Sequence, residues 1–186
     1  MAWIRTVDPD AADEELRGVY DGVVSSRGKL SDIMRVQSLA PRAMAAHLDL
    51  YLALLFGRSP LTRAEREAIA VTVSVANRCE YCVQHHRAAL LAHLRDEDAV
   101  RRIVEDFEKA GLDHRLVAML RYATKLTRSI DEVGESDIDA LRERGLTDEE
   151  ILHVNLITSY FNYVNRIATG LGLTPGAGEV DGYKYG

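Results

Sequence analysis

Cysteine occurs twice in this chain, at Cys79 and Cys82, and His86 follows four residues after the second. Two thiols spaced this way can form, break and re-form a disulfide, or supply two ligands to a soft metal. On a helical wheel of about 100° per residue, with Cys79 at zero, Cys82 falls near ~300° and His86 near ~340°. The imidazole therefore shares a stripe with both sulfurs, whereas His85 lies roughly 90° away from it. Helical side chains lean toward the N-terminus, so His86 reaches back one turn toward Cys82.

Glu67 stands twelve positions before Cys79 and is the carboxylate that could complete the group. One straight helix from Glu67 to Cys82 would separate the two by roughly 22 Å, so the helix has to break. Asn77 supplies the break, ten residues after Glu67 and nine before His86. Folding the two halves back about Asn77 brings Glu67 opposite His86, where a carboxylate orients the ring and supports its charged form. The spacing predicts a relay Glu67, His86, Cys82. A carboxylate placed directly on the thiol would instead raise its pKa, so the intervening imidazole matters.

Each of these residues also has a plainer role open to it. Buried cysteines are commonly inert, and an isolated glutamate on a helix is commonly solvated. Two thiolates with His85 or His86 could begin a zinc site, yet no second ligand pair at recognisable spacing follows, and no metal is expected. His47, His93, His114 and His153 read as ordinary surface or hydrogen-bonded histidines. Asn155, Asn162, Asn165 and Arg166 read as satisfied buried amides or an interface network. Tyr81, on the opposite side of its helix from the sulfurs, reads as packing.

The elements that must position this chemistry are helical. Apolar residues recur at helical spacing between cap signals, with no alternating run bounded by turns, so the class is all-α. Asp8-Pro9 marks a helix toward Val24, Ser31 to Leu39 a short one, and Pro41 opens a third that Gly57 and Pro60 end. The third is apolar almost all round from Leu48 to Phe56, as in a deeply buried helix or a subunit contact. Thr62-x-x-Glu65 is a capping box for a helix to Ala76, and Asn77-x-x-Glu80 reads as a similar cap for the next, to Leu94. The dithiol thereby lies in a first turn. Further helices are expected over 97–109, 113–128, 136–144 and 147–169, the last behind the capping box Thr147-x-x-Glu150, with Gly111, Gly145 and Gly170 at C-caps. Residues 1–170 read as one all-helical domain, with N-terminal helices in 1–60 and the site-bearing helix pair in 61–94. The glycine-rich 171–186 reads as an arm or a poorly ordered tail.

Composition narrows the setting. With 186 residues, 47% of them apolar, the chain can bury a sizeable core, and its net charge of −6 lacks the basic stripe a nucleic-acid partner requires. The N-terminus carries no signal-peptide pattern, and the most apolar window, Met44 to Phe56, is short and holds His47 and Asp49, so a cytoplasmic protein with no membrane span is expected. In a reducing compartment a lone cysteine pair is more readily catalytic, redox-sensing or metal-binding than a permanent bridge.

Glu67-x11-Cys79-x2-Cys82-x3-His86, in its helical setting, resembles the alkylhydroperoxidase D-like group of the carboxymuconolactone decarboxylase superfamily, especially its uncharacterised peroxidase-related subgroup. The stretches from Leu61 to Glu67, from His85 to Leu90 and from Phe161 to Arg166 carry the match. The resemblance implies a helical bundle with the C-x-x-C at a helix N-terminus, homo-oligomers, trimeric or hexameric, and peroxide reduction by a dithiol without a cofactor. By position it makes Cys82 the peroxide-attacking thiol, Cys79 the resolving thiol, His86 the relay base and Glu67 its support. The partners implied are a hydroperoxide and an external dithiol reductant or adapter protein. Better-studied hydroperoxidases of the group have a histidine where this chain has Tyr81. Family decarboxylases need no dithiol, which weighs against a lactone decarboxylase. A general disulfide oxidoreductase or redox sensor, and a zinc-stabilised interaction protein, are the other readings.

Overall fold

The computed structural model describes residues 2–176 and 178–185. Two threonines start long helices there as expected. Thr62 accepts from the Glu65 backbone N–H while Glu65 reaches back to Thr62, opening α4 (Arg63–Ala76), and Thr147 and Glu150 do the same for α9 (Asp148–Gly170). Pro41, whose fixed φ suits a first helical turn, opens α3 (Pro41–Leu55). The remaining helices are α1 (Glu14–Arg27), α2 (Asp32–Arg35), α5 (Glu80–Leu94), α6 (Glu97–Asp106), α7 (His114–Arg128) and α8 (Glu135–Arg142), and the described residues contain no strand.

Helix α4 is the axis of the bundle. All nine residues from Arg66 to Ser74 are buried, which requires neighbours on every side, and α5, α6, α7 and α9 supply them. Ile69, Val71, Val73, Leu90, Met119, Leu120, Ile157 and Phe161 make the centre of this core. A second cluster, built from Leu16, Tyr20, Val23, Met44 and Leu48, joins α1 to α3. Helix α3 is not buried all round, for Leu50 is 46% exposed while Leu54 and Leu55 face the core.

Five local readings are corrected. Asp8-Pro9 starts only a 3-10 turn, Pro9–Ala11. Asp13 caps α1 instead by accepting from the Leu16 backbone N–H, because Tyr20 Oη and Ser38 Oγ hold Val7 by its backbone and keep the preceding segment extended. The short second helix ends at Arg35, and the 97–109 helix passes into a 3-10 turn at Phe107. Asn77 does not cap α5, since its side chain donates to Asn162 Oδ1 at 3.1 Å and Asn165 Oδ1 at 3.0 Å. The α4–α5 reversal is made by Arg78, a non-glycine residue at φ 56°, which leaves Cys79 at the N-cap of α5. Past α9 the left-handed turn residue is Gly172, not Gly170. Its φ is +73°, and a Cβ there would stand 2.3 Å from the Trp3 ring.

The tail does not project as an arm. Lys184 donates its backbone N–H to Arg27 O at 3.0 Å, and Lys29 Nζ donates to Gly178 O at 2.8 Å. These bonds lay residues 178–185 against the end of α1 and over α5.

Candidate active site

The reversal at Arg78 packs α5 antiparallel on α4, and this brings Glu67 to His86. His86 Nδ1 lies 2.7 Å from Glu67 Oε2, across the nineteen-residue separation that the break at Asn77 was expected to close. Glu67 is fully buried. Its other oxygen accepts from Arg63, one turn earlier, at 2.9 Å from Nε and 2.7 Å from Nη2. Burial alone would raise the Glu67 carboxyl, but the His86 ring and the Arg63 guanidinium outweigh it and hold the group below the usual carboxylate range. The His86 ring is braced edge-on against Phe161, with centroids 4.4 Å apart. With Nδ1 engaged by the carboxylate, Nε2 is the nitrogen left to do chemistry.

Cys79 and Cys82 are free thiols, each 3% exposed, with sulfurs 2.6 Å apart. The pair does not titrate evenly. Cys79 is drawn down to about 7, first by the Cys82 thiol, against burial, and further by the Cys82 backbone N–H and the Thr169 hydroxyl. Cys82 is pushed up, first by its hydrogen bond with Cys79 and then by burial. The turn carrying them is tied to α9, since Asn165 Oδ1 accepts from Asn77 and Asn165 Nδ2 donates to Ser74 Oγ at 3.3 Å. Asn165 is thus a buried, satisfied amide, as its sequence setting suggested.

A cavity of about 70 Å³ opens beside the sulfurs. Cys82 and His86 line it and Cys79 does not. Among the described residues, Glu67 is joined to His86 and no hydrogen bond joins His86 to either sulfur. No group of three or more metal-ligating side chains converges among them.

Sequence reasoning left several lining groups aside. Of the two roles expected for His47, surface or hydrogen-bonded, it takes the second: it is buried, with Nε2 2.7 Å from Tyr160 Oη and Nδ1 against Gln37. Burial takes its pKa down to about 4, which keeps it neutral near pH 7. Tyr81 lines the cavity rather than turning away, and its hydroxyl donates to Glu179 at 2.8 Å. Glu179, from the tail, also accepts from the Asp32 backbone N–H at 3.1 Å and lies 3.4 Å from His85. Tyr183 and Tyr185 complete the wall from the same tail. Only Arg63 had a signal, the i,i+4 spacing to Glu67. His47 and Tyr160 are brought together by tertiary packing that no local pattern announces.

A helix-capped dithiol beside a histidine–carboxylate pair, in an all-helical bundle, defines a class of thiol-bearing proteins. Comparison with known proteins identifies the family. Residues 41–125 match the carboxymuconolactone decarboxylase family model. An uncharacterised peroxidase-related protein from Silicibacter sp. TM1040 is 31% identical, covering 91% of this chain and 91% of its own, with a TM-score of 0.82. An uncharacterised peroxidase-related protein from Ralstonia eutropha JMP134, described as an alkylhydroperoxidase AhpD core, is 30% identical, covering 96% of this chain and 94% of its own, with a TM-score of 0.86. The debrominase Bmp8, in complex with 2,3,4-tribromopyrrole, shares the fold at 17% identity, covering 94% and 91% of the two chains with a TM-score of 0.79. No curated protein matches. The chain belongs to the carboxymuconolactone decarboxylase superfamily, in its peroxidase-related, AhpD-like subgroup. No described helix is long and apolar enough to cross a membrane.

Proposed function

We propose that this protein is a thiol-dependent peroxidase in which Cys82 reduces a hydroperoxide and Cys79 resolves the product. The observation that carries the reading is that Cys82, and not Cys79, faces the cavity together with a histidine whose Nδ1 is held by a buried carboxylate. The Cys82 proton passes to His86 Nε2, and the thiolate attacks the terminal peroxide oxygen. The O–O bond breaks, the leaving oxygen takes a proton to depart as alcohol or water, and Cys82 becomes a sulfenic acid. The Cys79 thiolate then attacks the Cys82 sulfur, displacing water and closing the disulfide. An external dithiol returns two electrons and two protons. None of these steps calls for a metal or cofactor.

Exchange with a protein disulfide is the main competing reading. Two cysteines that are each 3% exposed, with only Cys82 at a cavity of about 70 Å³, favour a small oxidant over a protein one. Steady-state turnover of hydrogen peroxide, coupled to several dithiol donors and compared with turnover of disulfide substrates, separates the two. Peroxide consumption tied to a two-hydrogen mass loss in the intact protein is the expected result. Disulfide turnover without peroxide turnover would sink the proposal.

A further inference from the structure

Arg27, the last residue of α1, is a buried cation with no paired anion among the described residues. Its residue is 6% exposed, its guanidinium carbon lies 4.0 Å from the Phe56 ring centroid and 5.4 Å from that of Tyr51, and its Nη1 is buried with no hydrogen-bond partner. Arg63 stacks on the same Phe56 ring at 3.7 Å but is neutralised by Glu67. Among the described residues, no carboxylate forms an ion pair with Arg27. Cation–π stacking leaves the guanidinium's in-plane donors unused, and leaving a buried charge unpaired is strongly unfavourable. Arg27 also lines the cavity that holds Cys82.

The rest of the wall limits what fits. His47 is neutral near pH 7, because burial takes it down to about 4, and burial also holds His85 below its usual value. Arg27 is the one arginine or lysine of a lining that also holds Ser31, Cys82, His47, His85 and His86, and the remaining wall is aromatic and aliphatic, including Met34, Leu48 and Val164. A planar guanidinium with free donors matches a carboxylate. The volume of about 70 Å³ is well below the ~150 Å³ that admits benzene, so the body carrying the charge is short.

We propose that Arg27 is the anion-binding group of this cavity, and that the molecule it delivers to Cys82 is a small hydroperoxide bearing one carboxylate. The hydroperoxide part rests on the peroxidase reading, whereas the carboxylate part rests on Arg27 alone.

Iodoacetate and iodoacetamide test this directly, since both are small, both alkylate the same thiolate, and only one carries the carboxylate. The ratio of their rate constants at Cys82, assigned by peptide mass spectrometry and compared with the ratio for free glutathione, cancels the fraction of thiolate. A charge-assisted pair predicts a ratio at least about tenfold above that of glutathione, collapsing toward it in Arg27→Gln and partly kept in Arg27→Lys. If Arg27→Gln does not fold, the wild-type protein decides alone: propionate must slow the iodoacetate reaction and isosteric propionamide must not. A ratio equal to that of glutathione, labelling at Cys79 in place of Cys82, or equal protection by both additives would overturn the anion site. Turnover of hydrogen peroxide, small enough for the cavity, is measured on the same samples. Its absence with the iodoacetate preference intact strikes the peroxidase reading and leaves the anion site standing, while turnover without the preference strikes the anion site only.

Discussion

Replacing Glu67 by glutamine removes one charge and almost no volume, so the relay can be tested at its support. Both carboxylate oxygens are in use, one on Arg63 and one on His86. A glutamine amide must turn its NH₂ toward one of them. Facing Arg63, it sets donor against donor. Facing His86, it makes Nδ1 the acceptor and forces the ring proton onto Nε2, which can then no longer act as a base. In the first case the ring loses the charge that supports its protonated form, in the second it loses its free base, and base assistance typically supplies about 10²–10⁴-fold. The expected result is that Glu67→Gln and His86→Gln each slow iodoacetamide alkylation of Cys82 near neutral pH by at least ~100-fold, with the double variant little worse than His86→Gln alone. Breaking a buried ion pair also destabilises by about 3–5 kcal/mol, so rates are taken well below the midpoint of each variant's thermal unfolding. Cys79, followed in the same digests, should change less. Unchanged Cys82 rates in both single variants, or losses that multiply independently, would refute the carboxylate–imidazole–thiol chain.

Cys79→Ser should leave Cys82 unable to close a disulfide, so that intact-mass spectra after peroxide show sulfenic and then sulfinic Cys82 in place of a two-hydrogen loss. His47 gives an acid-stability signature: with its folded pKa near 4, below the ordinary 6.5, the unfolded chain binds the extra proton. Stability is then lost as pH falls from ~6.5 toward ~4, by about 2–3 kcal/mol at pH 4.5. Urea midpoints of His47→Gln should show a correspondingly flatter pH dependence. Glu179 clamps the tail onto Tyr81 and Asp32, and its release in Glu179→Gln should speed reduction of the Cys79–Cys82 disulfide by dithiothreitol several-fold, read by stopped-flow thiol release. Leu50, Leu152, Leu156 and Tyr163 are exposed on α3 and α9, which pack together. Light scattering at micromolar concentration should show a homo-oligomer that Leu156→Glu weakens, and a monomeric wild type would rule out this face as an interface.

How far the site was legible depended on the range of the contacts. The capping boxes at Thr62 and Thr147 are satisfied within four residues of chain, and they open α4 and α9 where the sequence put them. The pairing of Glu67 with His86 followed from two helices and one break, and the break fell where spacing required it even though Asn77 serves another purpose there. Asn77 was misread because its side chain had two acceptors on α9 to choose, Asn162 and Asn165, which local sequence does not display. Asp8 lost to Asp13 for a similar reason, with Tyr20 and Ser38 holding Val7 extended. Tail contacts such as Tyr81 to Glu179 join residues 98 apart, and a glycine-rich run gives no periodicity from which to infer them.

The two sulfurs pull in opposite directions, and the opposition suits the proposed cycle. The helix N-terminus and the neighbouring thiol stabilise a thiolate at Cys79, away from the cavity, while Cys82 at the cavity is the weaker acid. In the proposed cycle the Cys82 proton leaves to His86, so the attacking thiolate forms at the cavity even though Cys79 is the stronger acid. A thiolate of higher pKa is the stronger nucleophile once formed, which suits the atom that must break an O–O bond. The resolving sulfur has a different task. It has to be ionised as soon as the sulfenic acid appears, because a second peroxide would otherwise carry Cys82 to the irreversible sulfinic state. In the reduced pair a pKa of about 7, set first by the Cys82 thiol, leaves roughly half of Cys79 ionised at neutral pH before the peroxide arrives. Exchanging the two environments would put the poorer nucleophile at the cavity and a protonated thiol behind it. The order Cys79 then Cys82 at the start of α5 therefore fits the proposed cycle.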